Sequence, residues 1–362
     1  MKHSEVTQYL AAVVQHNLET LEREQRTGRT ADVNDFIIPF IIGDPGVGKT
    51  AAPKQVARNL ELPYYQTIVA QYDAGEMAGL PFIGEEDTHD SNGKVTGQRK
   101  VMIRLRPAYL PGEHDIGIYN LDELPQAFLA NQNICSQLVN EYRIGDHRIS
   151  RGITIVATGN KPENKAGTTT MPTHLRDRLN FITLDVDADD WLKYSAETGG
   201  SARIRAYIRN NPGKLHKFDV GANANPTPRS WEKMSSILSM NLPTHIRSQA
   251  IAGQIGEGHA TEFEAWLRVE DRMPDVDSVI ARPDAAPLYG NKDADIAYLL
   301  MAALADKTTD KNVENVIKYI RRMPNQEFAA YWATDTFSRD KTLLQNRAVT
   351  QWKMTDGAKL AF

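Results

Sequence analysis

Leu10, Val13, Val14, Asn17, Leu18 and Leu21 recur at steps of three and four with Glu, Gln and Arg between them. That spacing predicts an amphipathic helix over the first two dozen residues, with its apolar stripe turned toward a following domain. The period then changes. Residues 36–42 form a short Phe- and Ile-rich run that reads as a buried strand, and it leads directly into a glycine-rich segment and a helix predicted over 49–60. Four further strand-like runs follow at 65–70, 116–121, 153–158 and 181–184, separated by stretches long enough for crossover helices. Strands alternating with helices predict an α/β fold built on a parallel sheet.

Two segments break the alternation. Asn92-Gly93 is a tight-turn signal, and beyond it Val101, Ile103 and Leu105 alternate with Met102, Arg104 and Arg106, the pattern of a half-buried strand. These features predict a hairpin insert over residues 80–106, and a shorter one is predicted over 142–149 around Gly145-Asp146. After residue 186 helical periodicity takes over. Val313, Val316, Ile317 and Ile320, for example, fit the i, i+3, i+4, i+7 template. Residues 282–290, with two prolines and a glycine, predict a loop between an intermediate helical unit and a C-terminal one. The expected organisation is an α/β core over 1–185 and helical regions over 186–272 and 273–362.

Composition narrows the class without naming the chemistry. At 362 residues the chain is long enough for two domains. With 41% hydrophobic and 24% charged residues it is neither disordered nor fibrous. The absence of a long apolar run or a signal-like N-terminus predicts a cytoplasmic protein. The single cysteine, Cys135, fits a reducing compartment and reads as a small core residue. A formal net charge of −4 gives no overall attraction for nucleic acid, although a local basic surface stays open. The nine histidines show no metal-ligand spacing.

The chemistry is concentrated at the strand ends. Gly43, Asp44, Pro45, Gly46, Val47, Gly48, Lys49 and Thr50 form a P-loop pattern between a strand and a helix. Such a turn converges backbone N–H groups on phosphate oxygens, and the helix N-terminus adds a favourable dipole. Lys49 is expected to reach the β- and γ-phosphates, and the Thr50 hydroxyl to ligate Mg2+. Hydrolysis needs more: a carboxylate at the metal and a group that activates water. Asp122 and Glu123 close the apolar run 116–121 in the Walker B arrangement, with Asp122 expected on the magnesium side and Glu123 as the water-activating base. Asn160, just past the run 153–158, is expected to hold the attacking water. Asn160-Lys161-Pro162-Glu163 also resembles the guanine-reading N-K-x-D of small GTPases, but the adjacent acidic pair and the early position of the tetrapeptide favour ATP.

Taken in order, GDPGVGKT, IYNLDELPQAFLANQNICSQLVNEYRIGDHRI, ITIVATGNKPENKAG, MPTHLRDRL and NPTPRSWEKMS resemble AAA+ ATPases of the MoxR type, over residues 35–235. The resemblance implies an AAA+ P-loop NTPase core over 1–185, a helical lid over 186–272 and a helical C-terminal region. It implies an arginine finger at Arg178, with Arg176 as the alternative, acting on the nucleotide of a neighbouring subunit. Arg229 would be the lid's sensor arginine. It implies a homo-oligomer, a hexameric ring, whose hairpin inserts face a pore or client, and a partner with a von Willebrand A domain. Two departures stand out: Leu124-Pro125-Gln126 where the family commonly has Ile-Asn-Arg, and Gly159-Asn160-Lys161-Pro162 where it commonly has Gln-Asn-Pro. The leading expectation is a chaperone-like remodelling ATPase using ATP and Mg2+. A nucleic-acid motor or loader of the restriction or replication type is the alternative, with Arg99, Lys100, Arg104 and Arg106 as its basic contacts. A regulatory nucleotide switch is a third.

Overall fold

A computed structural model of the chain describes residues 1–164 and 170–356. Lys165 to Gly167, which close one of the motif segments above, and the last six residues of the helical C-terminal region lie outside the described residues. The chain divides into two units, Met1–Asp185 and Val186–Phe362. In chain order the first unit runs α1 (His3–Thr27), β1 (Pro39–Gly43), α2 (Ala51–Asn59), β2 (Tyr64–Ile68), α3 (Ala74–Ala78), β3 (Pro81–His89) and β4 (Val95–Arg104). It continues through β5 (Gly117–Asp122), α4 (Leu129–Glu141), β6 (Arg143–Ile144), β7 (His147–Arg148), β8 (Ile153–Asn160), α5 (Thr173–Arg176) and β9 (Asn180–Thr183).

The five apolar runs pair as one parallel sheet in the order β2-β5-β8-β1-β9. Alternate side chains go to opposite faces. Phe40, Tyr119, Leu121, Ile153, Ile155 and Ala157 join one core with Cys135, Leu138 and Val139 of α4. Ile41, Ile118 and Val156 are buried on the other face. There α1 packs against α2 and β8. Asn17, a polar position on the buried face of α1, is accommodated there because its amide donates to the Ile37 carbonyl (3.0 Å) and accepts from the Ile37 N–H (3.0 Å). It thereby satisfies the chain just before β1 begins. The strand ends are level. Gly43 lies opposite Asn160, and Ile68 opposite Asp122, so the ends of the runs meet along one rim.

The large insert is a two-stranded antiparallel hairpin, β3 with β4, and it corrects one expectation. Its strands are not half-buried: Ile83 and Met102 face each other across the ladder and are 71% and 66% exposed. Among the described residues each strand pairs with the other alone, so alternation here has no core to turn toward. The turn is closed by Asp90, whose carboxylate accepts from the N–H groups of Asn92 and Lys94, with Gly93 at φ 79°.

The second unit is helical: α6 (Ala188–Glu197), α7 (Ala202–Asn210), α8 (Pro228–Ser239), α9 (Thr244–Ile255), α10 (Glu257–Leu267) and α11 (Val276–Ala281), then α12 (Ala294–Lys307), α13 (Val313–Arg321), α14 (Gln326–Arg339) and α15 (Arg347–Thr355). One apolar core runs from Trp191 to Trp352, so residues on both sides of the 282–290 loop share it. No described helix is long and apolar enough to cross a membrane.

Inside this core Arg205 of α7 meets Asp335 of α14, with side chains 1% and 2% exposed. The contact is two-pronged, Nε to Oδ1 at 2.7 Å and Nη2 to Oδ2 at 2.9 Å, and Asp306 and the Gly200 carbonyl accept further bonds from the guanidinium. Burial pulls the guanidinium pKa down, but the Asp335 carboxylate outweighs it and holds the group above its ordinary value. Removing one partner of such a pair strands a buried charge, which costs about 3–5 kcal/mol. Asp335→Asn is therefore expected to lower the thermal midpoint steeply, while Arg205→Met combined with Asp335→Leu recovers most of the loss. A single variant that melts like the wild type would show that the pair is dispensable.

Candidate nucleotide site

The rim of the sheet collects the glycine loop, Asp122, Glu123 and Asn160, whereas Arg176 and Arg178 precede β9 at the other end of the strands. β1 ends at Gly43, and the chain turns back through Gly46 (φ 78°) and Gly48 (φ 101°) before α2 begins at Ala51. Both angles lie in the left-handed region, where a Cβ is penalised, so glycine at these positions is a backbone requirement. The first N–H groups of α2, those of Ala51 and Ala52, both donate to the Gly48 carbonyl (3.0 and 3.1 Å), which closes the turn onto the helix.

Lys49 folds back over this loop. Its ammonium donates to the carbonyls of Gly43 (3.1 Å) and Asp44 (2.7 Å) and to Oδ1 of Asn160 (2.8 Å). Thr50 donates its hydroxyl to Oδ2 of Asp122 at 3.1 Å. The same oxygen accepts from Gln66 Nε2 at 2.9 Å, while Oδ1 accepts from the Thr158 hydroxyl at 2.5 Å and the Glu123 N–H at 3.0 Å. Four donors from β2, the end of β5, β8 and the start of α2 thus fix a carboxylate that is only 9% exposed. The sequence reading missed its supporting residues. Asn120, fully buried, has its amide oxygen 3.3 Å from the Thr158 hydroxyl, whose proton goes to Asp122, and donates to the Tyr64 hydroxyl (3.2 Å), which donates on to Gln66 (3.3 Å). Burial, with the Asp122 charge adding to it, pushes the Tyr64 phenol up to about 12, so it stays a neutral relay. A signal was present: Asn120 is the lone amide in an apolar strand, two residues before Asp122 and so on the same face.

Glu123 follows in the left-handed region (φ 56°, ψ 33°), with an exposed side chain at the rim. Asn160 stands at the glycine loop, bonded to Lys49, and Lys161 Nζ lies 3.5 Å from the Asp44 carboxylate. That placement sets Asn160 against Lys49 and Lys161 against Asp44, so the segment 160–163 begins on the glycine loop. Arg176 and Arg178 are exposed at the end of α5, and Arg178 donates to Asn34 of the same chain. Arg229 belongs to the second unit, exposed in the first turn of α8 behind the Thr227 cap. The hairpin β6–β7 lies between α4 and β8, the strand that ends in Asn160.

The group of atoms suits a polyphosphate with a hard cation. The Lys49 ammonium, which here donates to three neutral oxygens of the chain, is a cation that phosphate oxygens would attract more strongly, and Thr50 with Asp122 offers an all-oxygen donor set of the kind Mg2+ prefers.

No family model matches the sequence, and no curated protein matches it. Among solved structures the chain is similar to a mutant of Thermotoga maritima RuvB, at 16% identity over 81% of this chain and 82% of that one, with a TM-score of 0.35. It is similar to the Thermotoga maritima RuvB Holliday junction branch migration motor at 16% identity, over 81% and 80%, with a TM-score of 0.33. It is also similar to NtrX from Brucella abortus at 14% identity, over 93% and 64%, with a TM-score of 0.31. Overlays this loose leave function to be argued from the local geometry.

The left-handed Glu123 gives a direct check on that geometry. A Cβ in this conformation costs about 1–2 kcal/mol, so Glu123→Gly is expected to raise the melting temperature by roughly 2–4 °C. Glu123→Ala keeps the Cβ and gains nothing. Equal melting of the two variants would reject strain at this residue.

Proposed function

We propose that the chain is a Mg2+-dependent ATPase of the AAA+ type. The observation that carries this is the convergence of Lys49, Thr50, Asp122 and Asn160 at one rim of a parallel sheet, with the strained Glu123 beside them. In this reading the loop amides and Lys49 bind the β- and γ-phosphates, and Thr50 and Asp122 hold the metal. When bound, Mg2+ supplies charge neutralisation on the phosphate oxygens. Asn160 releases Lys49 to the γ-phosphate and orients a water, and Glu123 accepts that water's proton as it attacks. Arg178, or Arg176, then neutralises charge on the nucleotide of a neighbouring subunit. Arg229 does so from the helical lid of the same chain.

Assembly as a MoxR-type ring of six, acting on a protein partner with a von Willebrand A domain, rests on the sequence resemblance. Support for a protein partner comes from the hairpin base, which exposes an apolar cross-strand pair on each face, Phe82 with Ile103 and Ile83 with Met102; exposed apolar surface of this kind marks protein contacts. For the nucleic-acid motor, only part of the basic set has an acidic neighbour across the hairpin, and Arg104 and Arg106 keep their charge. Arg99 pairs with Glu86, Lys100 lies opposite Glu85, Arg104 bonds the Gly79 carbonyl and Arg106 the carbonyls of Arg148 and Pro111.

Glu123→Gln is expected to bind ATP yet hydrolyse it at least about tenfold more slowly, because losing a general base commonly costs about 10² or more. Turnover near the wild-type rate would reject that role. If the finger acts in trans, inactive Arg178→Ala and inactive Lys49→Ala subunits should regain part of their activity on mixing, with Arg176→Ala run in parallel to choose between the two arginines. Hydrolysis should also be indifferent to added DNA; stimulation that fades with rising salt would instead favour the motor.

A further inference from the structure

Pro125 and Gly159 touch at the rim of the sheet in a way that permits no side chain at residue 159. A Cβ on Gly159 would lie 2.3 Å from Cδ and 2.5 Å from Cγ of Pro125, and 3.3 Å from the Phe40 ring. Both residues are buried, and a proline ring cannot swing aside as a long side chain can. Gly159 immediately precedes Asn160 on β8, and Pro125 lies two residues past Glu123 in the short 3-10 turn Leu124–Gln126. The turn is held by the Glu123 carbonyl, which accepts from Gln126 N–H at 3.0 Å.

The two faces of the sheet explain why the contact matters. Asp122 is tied to Thr158 on one face, whereas Leu124 and Ala127 belong to the core on the other. The chain therefore crosses the rim at Glu123, and the left-handed backbone there makes the crossing. Asp122 clamps Glu123 from one side and the Pro125–Gly159 contact from the other, with Asn160 next along from that contact.

We propose that Pro125 and Gly159 are positioning residues forming a spacer that sets the separation between the Glu123 carboxylate and Asn160, so that both reach one water. The proposal rests on the ATPase reading above. It makes the absence of a side chain at 159 a requirement of the chemical step and not of nucleotide binding, since the phosphate-binding loop lies on the opposite side of Asn160 from the ring.

The test compares Gly159→Ala, Pro125→Ala and the double variant in the full chain. Three readouts are used: steady-state ATP hydrolysis, affinity for a fluorescent ATP analogue, and thermal melting. Gly159→Ala pushes the Glu123 turn away, and displacements near 1 Å can cost about 10² in rate, so kcat should fall at least about tenfold with analogue affinity held within about threefold. Pro125→Ala loosens the turn and should lower kcat by about threefold with unchanged affinity, and lower the melting temperature because a buried ring is lost. In the double variant the ring atoms that the new methyl meets are gone, so kcat should return to the Pro125→Ala level. Should Gly159→Ala fail to fold, Pro125→Ala and the double variant still decide. A double variant that folds but stays as slow as Gly159→Ala overturns the spacer, and so does a parallel loss of affinity and kcat. A wild-type chain without turnover removes the ATPase reading and the spacer together, whereas wild-type turnover with an unaffected Gly159→Ala removes the spacer alone.

Discussion

The Asp122 carboxylate is the point on which the first unit converges. It is almost fully buried, so its oxygens must find donors, and each donor arrives on a different element: Gln66 on β2, the Glu123 N–H past β5, Thr158 on β8 and Thr50 at the start of α2. Meeting that requirement holds three neighbouring strand ends level and ties the glycine loop to them through Thr50. A second line of bonds, Asn120 to Tyr64 to Gln66, fixes the Gln66 donor in turn. Hydrogen-bond networks of this kind gain from the low dielectric of their surroundings when every member is satisfied.

Around that hub the sheet separates two jobs. One face takes α1 and α2 and bears the oxygen-rich side chains at its rim; the other takes α4 and is closed by apolar packing. β8 stands between β1 and β5, which places Asn160 directly across from Gly43 and within 2.8 Å of Lys49. Glu123 is the residue that must serve both faces, and it does so in a conformation that non-glycine residues avoid. Strain kept at an exposed carboxylate beside a phosphate-type loop is the pattern expected where geometry is retained for chemistry.

The helical unit obeys a different constraint. Its core is almost wholly apolar, with the aromatic cluster of Tyr207, Trp231, Phe263 and Trp266 at one end and Trp332, Phe337 and Trp352 at another. The Arg205–Asp335 pair is the exception, joining α7 to α14 by directional bonds. The β3–β4 hairpin obeys neither constraint: its strands pair along their length but their faces are exposed, and an isolated two-stranded sheet is marginal by itself.

The sequence by itself determined the strands, the glycine turn and the acidic pair, because these are local: strand period, left-handed turns and the polar residue ending an apolar run are all written in consecutive positions. It also carried the hairpins and the helix periodicity. Which strand neighbours which, and hence that Asn160 and Thr158 stand between the loop and Asp122, was decided only by the tertiary structure, since parallel strands pair across long crossovers that leave no mark at the strand itself. Asn17 shows the same limit, as an apparent flaw in an apolar stripe that becomes a bond to Ile37 once α1 lies on the sheet. So do the hairpin strands, whose alternation promised a buried face that no other described element covers, and Gly159, whose missing side chain has meaning only beside the Pro125 ring. Contacts between residues dozens of positions apart depend on how the layers pack, and packing is a property of the folded chain.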